Sequence, residues 1–94
     1  MARCVVEKNP PKEKLAAMGV SRWPIWEKGV SQFDYQYDEK ETCFILEGEV
    51  TIEFTLNGKT EKVSFTKGDL VTFESGLSCV WKITKKVKKH YNFG

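Results

Sequence analysis

Seven short runs of residues with strand-forming character follow one another between positions 32 and 92, separated by polar or glycine-bearing turns. They cover residues 32–37, 42–46, 49–56, 60–65, 70–73, 78–83 and 88–92. A period of two along such runs turns alternate side chains to opposite faces of a β-strand. Short strands at regular spacing, with no helix between them, predict an all-β barrel or sandwich, because closure covers the sheet edges.

The dipeptide Asn57-Gly58 joins two of these runs. Asn-Gly favours a two-residue turn of the kind that connects antiparallel strands, because both residues tolerate a positive φ. On the strand before the turn, one face carries Val50, Ile52, Phe54 and Leu56, and the other carries Thr51, Glu53 and Thr55. These residues predict a β-hairpin with one buried face.

The N-terminal part of the chain has a different character. Residues 3–8 predict a short strand, and residues 9–19 (NPPKEKLAAMG) predict a helix that Asn9 caps, that has Pro10 at its first position and that Gly19 ends. Within that helix, Leu15 and Met18 are spaced to face the core.

Residues 23–29 predict an ordered loop, since Pro24 restricts its predecessor. The side chains of Trp23 and Trp26 would pack over the barrel or at a subunit contact, with ligand stacking as a second role.

Length and composition narrow the class of protein. The 94 residues suit one domain, 1–94, with an N-terminal strand and helix over 1–28 and a barrel core over 29–93. With 40% hydrophobic residues and no apolar run near the roughly 20 residues of a membrane span, the chain is not expected to enter a membrane. We also find no secretory signal at the start.

Three cysteines, Cys4, Cys43 and Cys79, are an odd and widely spaced set. Such a set argues against a disulfide framework and predicts free thiols in a reducing compartment, which fits a cytoplasmic protein.

The net charge of +2 is too small to indicate a nucleic-acid or membrane partner. Lysines do cluster in residues 82–90 (KITKKVKKH), where they alternate with Ile83 and Val87. We interpret them as the solvated side of a strand or loop. His90 at the end of this segment is a surface residue or a core hydrogen-bonding group, with a role as catalytic base as the alternative.

Two regularly spaced sets of residues stand out. The first is Gly29, Tyr35, Tyr37, Glu41 and Gly48, and the second is Gly68, Glu74, Gly76, Cys79 and Ile83. These spacings resemble the two motifs of the cupins, in which two histidines, a glutamate and a third histidine hold a metal. Tyr35, Tyr37 and Cys79 stand at the histidine positions, and only Glu41 keeps the identity of a metal ligand.

Further segments, residues 23–26, 41–50, 67–79 and 89–91, are similar to the small single-domain cupins grouped with (S)-ureidoglycine aminohydrolase. The resemblance implies a cupin-type double-stranded β-helix, or jelly-roll, barrel with a short N-terminal helix. It also implies that the motif side chains point to the centre of the barrel.

The period of two adds neighbours to that centre. Cys43 shares a face with Glu41, and Trp81 shares a face with Cys79. The predicted ligand-binding pocket therefore consists of Tyr35, Tyr37, Glu41, Cys43, Cys79 and Trp81. Phe44 and Leu46 face the other way and would need cover from another layer or from a second subunit, which makes a homodimer an expectation.

The residue types at the motif positions also bear on metal binding. Phenols ionise near pH 10 and thiols near pH 8.5, so Tyr35, Tyr37 and Cys79 are weaker ligands at neutral pH than the histidines they replace. We expect no resident cofactor, with zinc, manganese or iron at Tyr35, Tyr37, Glu41 and Cys79 as the alternative, and a zinc site of Glu41, Cys43 and Cys79 as a variant of it.

Individual residues allow more than one role. Glu41 is either a structural acid that accepts hydrogen bonds from Tyr35 and Tyr37 or a group that polarises a bound ligand. Cys79 is either an inert core residue or a nucleophile, so Glu41 and Cys79 are the catalytic candidates. Trp81 either packs or stacks on a ligand.

Three functions remain open from the sequence. The first is a pocket that binds or transforms a small polar molecule without the three-histidine metal site. The second is a metal-dependent enzyme similar to ureidoglycine aminohydrolase, and the third is a structural or dimerising module without a ligand. The fold cannot choose among them.

Overall fold

The computed structural model describes residues 2–94. Its elements are β1 (Cys4–Glu7), α1 (Lys12–Met18), a 3₁₀ turn (Val20–Arg22), β2 (Ile25–Lys28), β3 (Ser31–Gln36), β4 (Glu41–Leu56), β5 (Lys59–Thr66), β6 (Leu70–Phe73) and β7 (Ser78–Phe93). All strand pairings are antiparallel. The chain folds as a jelly-roll barrel with one short helix, which confirms the all-β prediction.

Strands β4 and β7 form the spine of the barrel and are each 16 residues long. They pair with each other over most of their length, and the register shifts between Ile45 and Val50. We predicted two strands in each of these segments. That prediction is wrong in number, because the ladder continues through the irregular region instead of stopping there.

Gly48 explains how the two strands stay together at this bend. A Cβ at this position would lie 2.3 Å from the carbonyl oxygen of Lys86, and the residue has φ +105°. Only glycine permits so close an approach of β4 to β7. The bulged strands can then bend, which lets one sheet curl into a barrel.

The order of strands in the first half of the barrel is β1-β6-β4-β7-β2. In the second half, β5 pairs with β4 and β3 pairs with β7. Each long strand therefore contributes to both halves. The buried core between them includes Ile45, Ile52, Phe65, Phe73 and Trp81.

The predicted hairpin is confirmed. Leu56 pairs with Lys59, and the two residues between them have φ values of 52° and 77°, as the turn requires. Val50, Ile52 and Phe54 are buried, and Thr55 on the opposite face is exposed. The same strand continues to Glu41, but the buried side chains change from even-numbered positions at Val50 and Ile52 to odd-numbered positions at Ile45 and Glu41, because the register shifts between the two segments.

The helix is shorter than predicted. It begins after Pro11, so Pro10 is not its first residue and Asn9, at φ 47°, lies before the cap. Gly19 ends it in the left-handed conformation, as expected. Helix α1 buries no residue completely, because Leu15 and Met18 reach only half-buried positions.

The loop prediction for residues 23–29 is wrong. Strand β2 pairs with the end of β7, from Ile25 opposite His90 to Lys28 opposite Val87. Pro24 stands just before this strand, where it donates nothing but its carbonyl accepts the amide of Tyr91 at 3.0 Å. Strand β2 forms because β7 is long enough to pair with it, and the residues around 23–29 alone do not indicate this distant partner.

On the outer face, Phe44 and Leu46 are half-buried. Phe44 lies opposite Leu70 of β6 and His90 of β7. The homodimer stays a prediction. Within residues 2–94, no helix has the length and apolar character needed to cross a bilayer.

Candidate ligand-binding cavity

One end of the barrel contains a cavity of about 220 Å³. Seven of its nine lining residues are aromatic; the nine are Trp26, Phe33, Tyr35, Tyr37, Glu41, Trp81, Lys89, Tyr91 and Phe93. Glu41 and Lys89 are 4% exposed, whereas Tyr35 and Phe93 are more than 40% exposed. The charged groups therefore lie at the inner end, and the two exposed rings lie at the mouth.

The strand register brings the inner residues together. Glu41, Cys43 and Ile45 share the inward face of β4. Lys89 lies opposite Ile45 on β7, and its long side chain runs along this face to reach Glu41.

The partner of Glu41 is a lysine. Lys89 Nζ lies 3.1 Å from Glu41 Oε2 and 3.2 Å from the sulfur of Cys43. Cys43 in turn donates to Glu41 Oε2 at 3.3 Å. All three side chains are buried, so Glu41 is tolerated inside the barrel because an internal ammonium neutralises it.

Aromatic rings surround the same ammonium. Lys89 Nζ lies 4.8 Å from the centre of the Trp81 ring, 4.9 Å from that of Trp26 and 5.9 Å from that of Phe73. Cation–π attraction of this kind strengthens when the cation is removed from water. The rings therefore help to hold the ammonium beside Glu41.

Burial by itself lowers the pKa of the Lys89 ammonium, but Cys43 and Glu41 more than offset it, so the pKa rises above its usual 10.5. Burial is also the main reason that the pKa of the Cys43 thiol is raised. Lys89 is therefore charged at neutral pH, and its buried ion pair is the 3.1 Å contact with Glu41.

The hydrogen bonds predicted from Tyr35 and Tyr37 to Glu41 are absent among residues 2–94. The Tyr37 hydroxyl instead accepts a hydrogen bond from Trp81 Nε1 at 3.1 Å. Burial raises the pKa of Tyr37, and the nearby charge of Glu41 raises it further. The phenol therefore stays protonated at neutral pH.

Of the two remaining candidates, Cys79 and Trp81, the cavity includes only one. Trp81 lines the cavity, but Cys79 does not: its sulfur lies 3.6 Å from the carbonyl oxygen of Tyr35, in a groove on another part of the surface. Burial, with a smaller contribution from Asp34, raises the pKa of Cys79 to about 11. Cys43 is wholly buried beneath the ion pair.

A model of the EutQ-like cupin domain matches residues 15–91. The chain belongs to this cupin family. It is also similar to the crystal structure of a DUF861 family protein from Thermotoga maritima, with 51% sequence identity, a TM-score of 0.88, and coverage of 98% of this chain and 100% of the other. No curated protein matches the chain.

More distant structures share the fold alone. The EutQ protein of Clostridium difficile is 20% identical with a TM-score of 0.62, over 73% of this chain and 52% of that protein. A putative ethanolamine utilization protein Q from Salmonella typhimurium is 20% identical with a TM-score of 0.60, over 73% of this chain and 53% of the other. This cupin thus spans about half the length of these two proteins.

The predicted pocket left out five residues that line the cavity, namely Trp26, Phe33, Lys89, Tyr91 and Phe93, although ligand stacking was the second role predicted for Trp26. Lys89 was assigned to a solvated face, and its burial shows that assignment to be wrong. A usable signal was present, because Trp81, Ile83, Val87 and Lys89 have the same parity along one strand.

The metal positions of the cupin motif do not fit a divalent ion in this chain. Within residues 2–94, no group of three or more histidine, cysteine, aspartate or glutamate side chains could hold a metal ion. Glu41 is already paired with an ammonium, Cys79 lies outside the cavity and the Tyr37 phenol is protonated. Hard divalent ions need several anionic or imidazole ligands, and that set is not assembled here.

Proposed function

We propose that this cupin binds a small polar molecule in the aromatic cavity, and that no divalent metal takes part. The observation that carries the proposal is the buried ion pair of Glu41 and Lys89 at the inner end of an open, aromatic-lined cavity. The ammonium supplies the positive charge that a metal would supply at the equivalent glutamate of a metal-using cupin.

The character of the cavity supports binding. Small-molecule sites are mostly apolar, with a few polar groups that orient the ligand. Here the walls are aromatic, and the buried polar residues among them are Glu41, Lys89 and Tyr37. The cavity is open rather than filled by its own aromatic side chains, which is why a purely structural module is less well supported.

A hydrolase similar to ureidoglycine aminohydrolase would need a divalent ion to activate water. The ion pair occupies the one carboxylate that such an ion would bind. No described residue of the cavity compensates with a histidine, since His90 bonds to the carbonyl of Trp23 instead. This alternative is therefore not favoured, although metal analysis tests it directly.

The three tryptophans allow a direct test of binding. Trp26 and Trp81 line the cavity, and Trp23 does not, so Trp23 serves as a control within the same protein. We expect that, in a screen of small polar ring compounds by two-dimensional ¹H–¹⁵N NMR, bound compounds shift the indole signals of Trp26 and Trp81 and leave Trp23 in place.

The test variant for this screen is Tyr91→Ala, which removes a ring from the cavity wall and leaves the ion pair of Glu41 and Lys89 unchanged. It should weaken the same compounds by about tenfold, because base-like and ring ligands gain much of their affinity from stacking on aromatic faces. A screen in which no compound shifts Trp26 or Trp81, or in which all three indoles shift equally, would contradict the proposal.

A further inference from the structure

Resting on the proposed function, we infer that the ligand is an uncharged, flat molecule that donates an N–H hydrogen bond to Oε1 of Glu41. Three features of the cavity carry this inference: an acceptor atom without a partner, a balanced pair of charges and walls made of aromatic rings.

The acceptor is the second oxygen of Glu41. Lys89 and Cys43 both bond to Oε2, and none of the described residues donates to Oε1. Yet no side-chain nitrogen or oxygen in residues 2–94 is both fully buried and without a partner. Since Glu41 is only 4% exposed and lines the cavity, Oε1 must face the cavity space. A ligand that excludes water from this end has to supply the missing donor.

The charges select against ions. A cationic ligand at Oε1 would be attracted by Glu41 and repelled by Lys89, whose ammonium is only 3.1 Å from the same carboxylate. The cation–π positions over Trp26 and Trp81 are also already taken by Lys89. An anionic ligand would be attracted by Lys89 but repelled by Glu41 and by the negative faces of the aromatic rings. An uncharged ligand avoids both penalties and loses less hydration on entry.

The size and walls favour a single ring. A cavity of about 150 Å³ is enough to hold benzene, and this one measures about 220 Å³, which leaves room for a small substituent. Phe33 stacks on Trp81 with ring centres 5.8 Å apart, and Tyr35 meets Tyr37 edge to face at 4.6 Å. Flat surfaces of this kind suit a planar partner.

Four compounds of nearly one shape test the inference. Benzamide is uncharged and donates N–H bonds, acetophenone replaces the amino group by methyl, benzamidinium is the cationic isostere and benzoate is the anionic one. Calorimetry together with the indole NMR signals gives the affinity and the site for each. We expect benzamide to bind more tightly than each of the two ions by about tenfold or more.

The double variant Glu41→Met/Lys89→Met removes the acceptor and the charges while keeping the volume. Relative to acetophenone, benzamide should lose about tenfold in affinity between the wild type and this variant, because a hydrogen bond to a charged acceptor disappears. Glu49→Gln, which removes the charge of an exposed acid on the same strand, is the matched control and should leave the ratio unchanged.

The outcomes separate the two proposals. If benzamidinium or benzoate bound at Trp26 and Trp81 as tightly as benzamide, or if the double variant kept the benzamide preference, the ligand class would be wrong while the cavity remained a binding site. If none of the four compounds shifted these indoles, the ligand class would be contradicted, and the proposed function would be contradicted with it only if the wider screen also left Trp26 and Trp81 unshifted.

Discussion

Two buried carboxylates of this protein are each paired with a lysine, but one of them lies in a turn and the other lies in the cavity. Asp69 is 1% exposed and lies 2.7 Å from Lys8, while Glu41 is 4% exposed and lies 3.1 Å from Lys89. The lysines differ far more than the acids: the Lys8 side chain is 59% exposed and the Lys89 side chain 5%.

Asp69 holds the backbone. Its Oδ2 accepts the amide of Thr66 at 2.9 Å and so closes the turn that leads into β6, next to Gly68 at φ +91°. Lys8 adds a link from the end of β1 but keeps its contact with water. No described backbone amide donates to Glu41, whose bonds come from side chains and whose second oxygen is left to the cavity. Equally buried carboxylates therefore stabilise a turn in one place and line a cavity in the other.

The largest contrast is expected when each lysine is removed. Lys89→Met leaves Glu41 charged and unpaired inside the barrel, and it should cost about 3 kcal/mol or more. Lys8→Met removes an exposed partner and should cost less than about 1 kcal/mol, because Asp69 keeps its backbone donor. Urea unfolding of both variants measures the difference. Equal losses in the free energy of unfolding would show that the two carboxylates depend equally on their lysines.

Chemical labelling should separate the same two lysines. Acylation requires a neutral amine that the reagent can reach, and Lys89 is buried with a raised pKa. At pH 8 we expect Lys89 to be acylated about 100-fold more slowly than Lys8, because reaction must await local opening of the barrel. Peptide mass spectrometry over a time course measures both rates. A ratio within tenfold would place Lys89 in contact with solvent.

The stability of the protein should also depend on alkaline pH, because burial raises the pKa of the Cys4 thiol. The pKa of Cys4 is raised from 9.0 to about 12 by burial, with Cys79 adding to it, so between these values the thiol ionises in the unfolded chain and not in the folded one. The contribution of Cys4 to the folding stability should then fall by about 1.4 kcal/mol per pH unit between pH 9 and about 12. Cys4→Ser should reduce this slope, and an unchanged slope would contradict the assignment.

The contribution of Lys89 should behave differently over the same range. A raised folded-state pKa means that its stabilising effect is fully present below 10.5 and is lost only as the pH rises beyond that value. The stability difference between the wild type and Lys89→Met should therefore stay constant from pH 7 to about pH 10. A difference that disappears by pH 9 would mean that the ammonium is not held by Glu41.

The smallest effect is expected when both members of the inner pair are replaced. Buried ion pairs exchanged for apolar residues of similar volume are often neutral or stabilising. Glu41→Met/Lys89→Met should therefore unfold within about 1 kcal/mol of the wild type, although each single change is costly. If the two losses simply added, the groups would not be acting as a pair.

The sequence predicted the barrel because its strands have a clear period and its hairpin turn has a specific dipeptide. It did not predict that β4 and β7 run through the bend, since the close approach at Gly48 depends on a partner strand far along the chain. Strand β2 was missed for the same reason, because its pairing edge comes from β7.

The period of two along a strand predicts some features of the candidate site and not others. It correctly predicts that Cys79 is buried, with 6% exposure, but it cannot predict whether a buried side chain lines the cavity. It also turns Lys89 inward, yet the surrounding lysines favoured a solvated face. The burial of one lysine among several depends on the carboxylate it meets, and that carboxylate lies 48 residues away.

Metal content after exposure to zinc, manganese and iron tests the central claim most directly, because the account assigns the cation at Glu41 to Lys89. The wild type, purified without chelator or affinity metal, is incubated with each ion, desalted and measured by elemental mass spectrometry. We predict less than about a tenth of an equivalent of any of them per chain. Near-stoichiometric metal in the wild type that is lost in Glu41→Gln would contradict the account and restore the metal-dependent alternative.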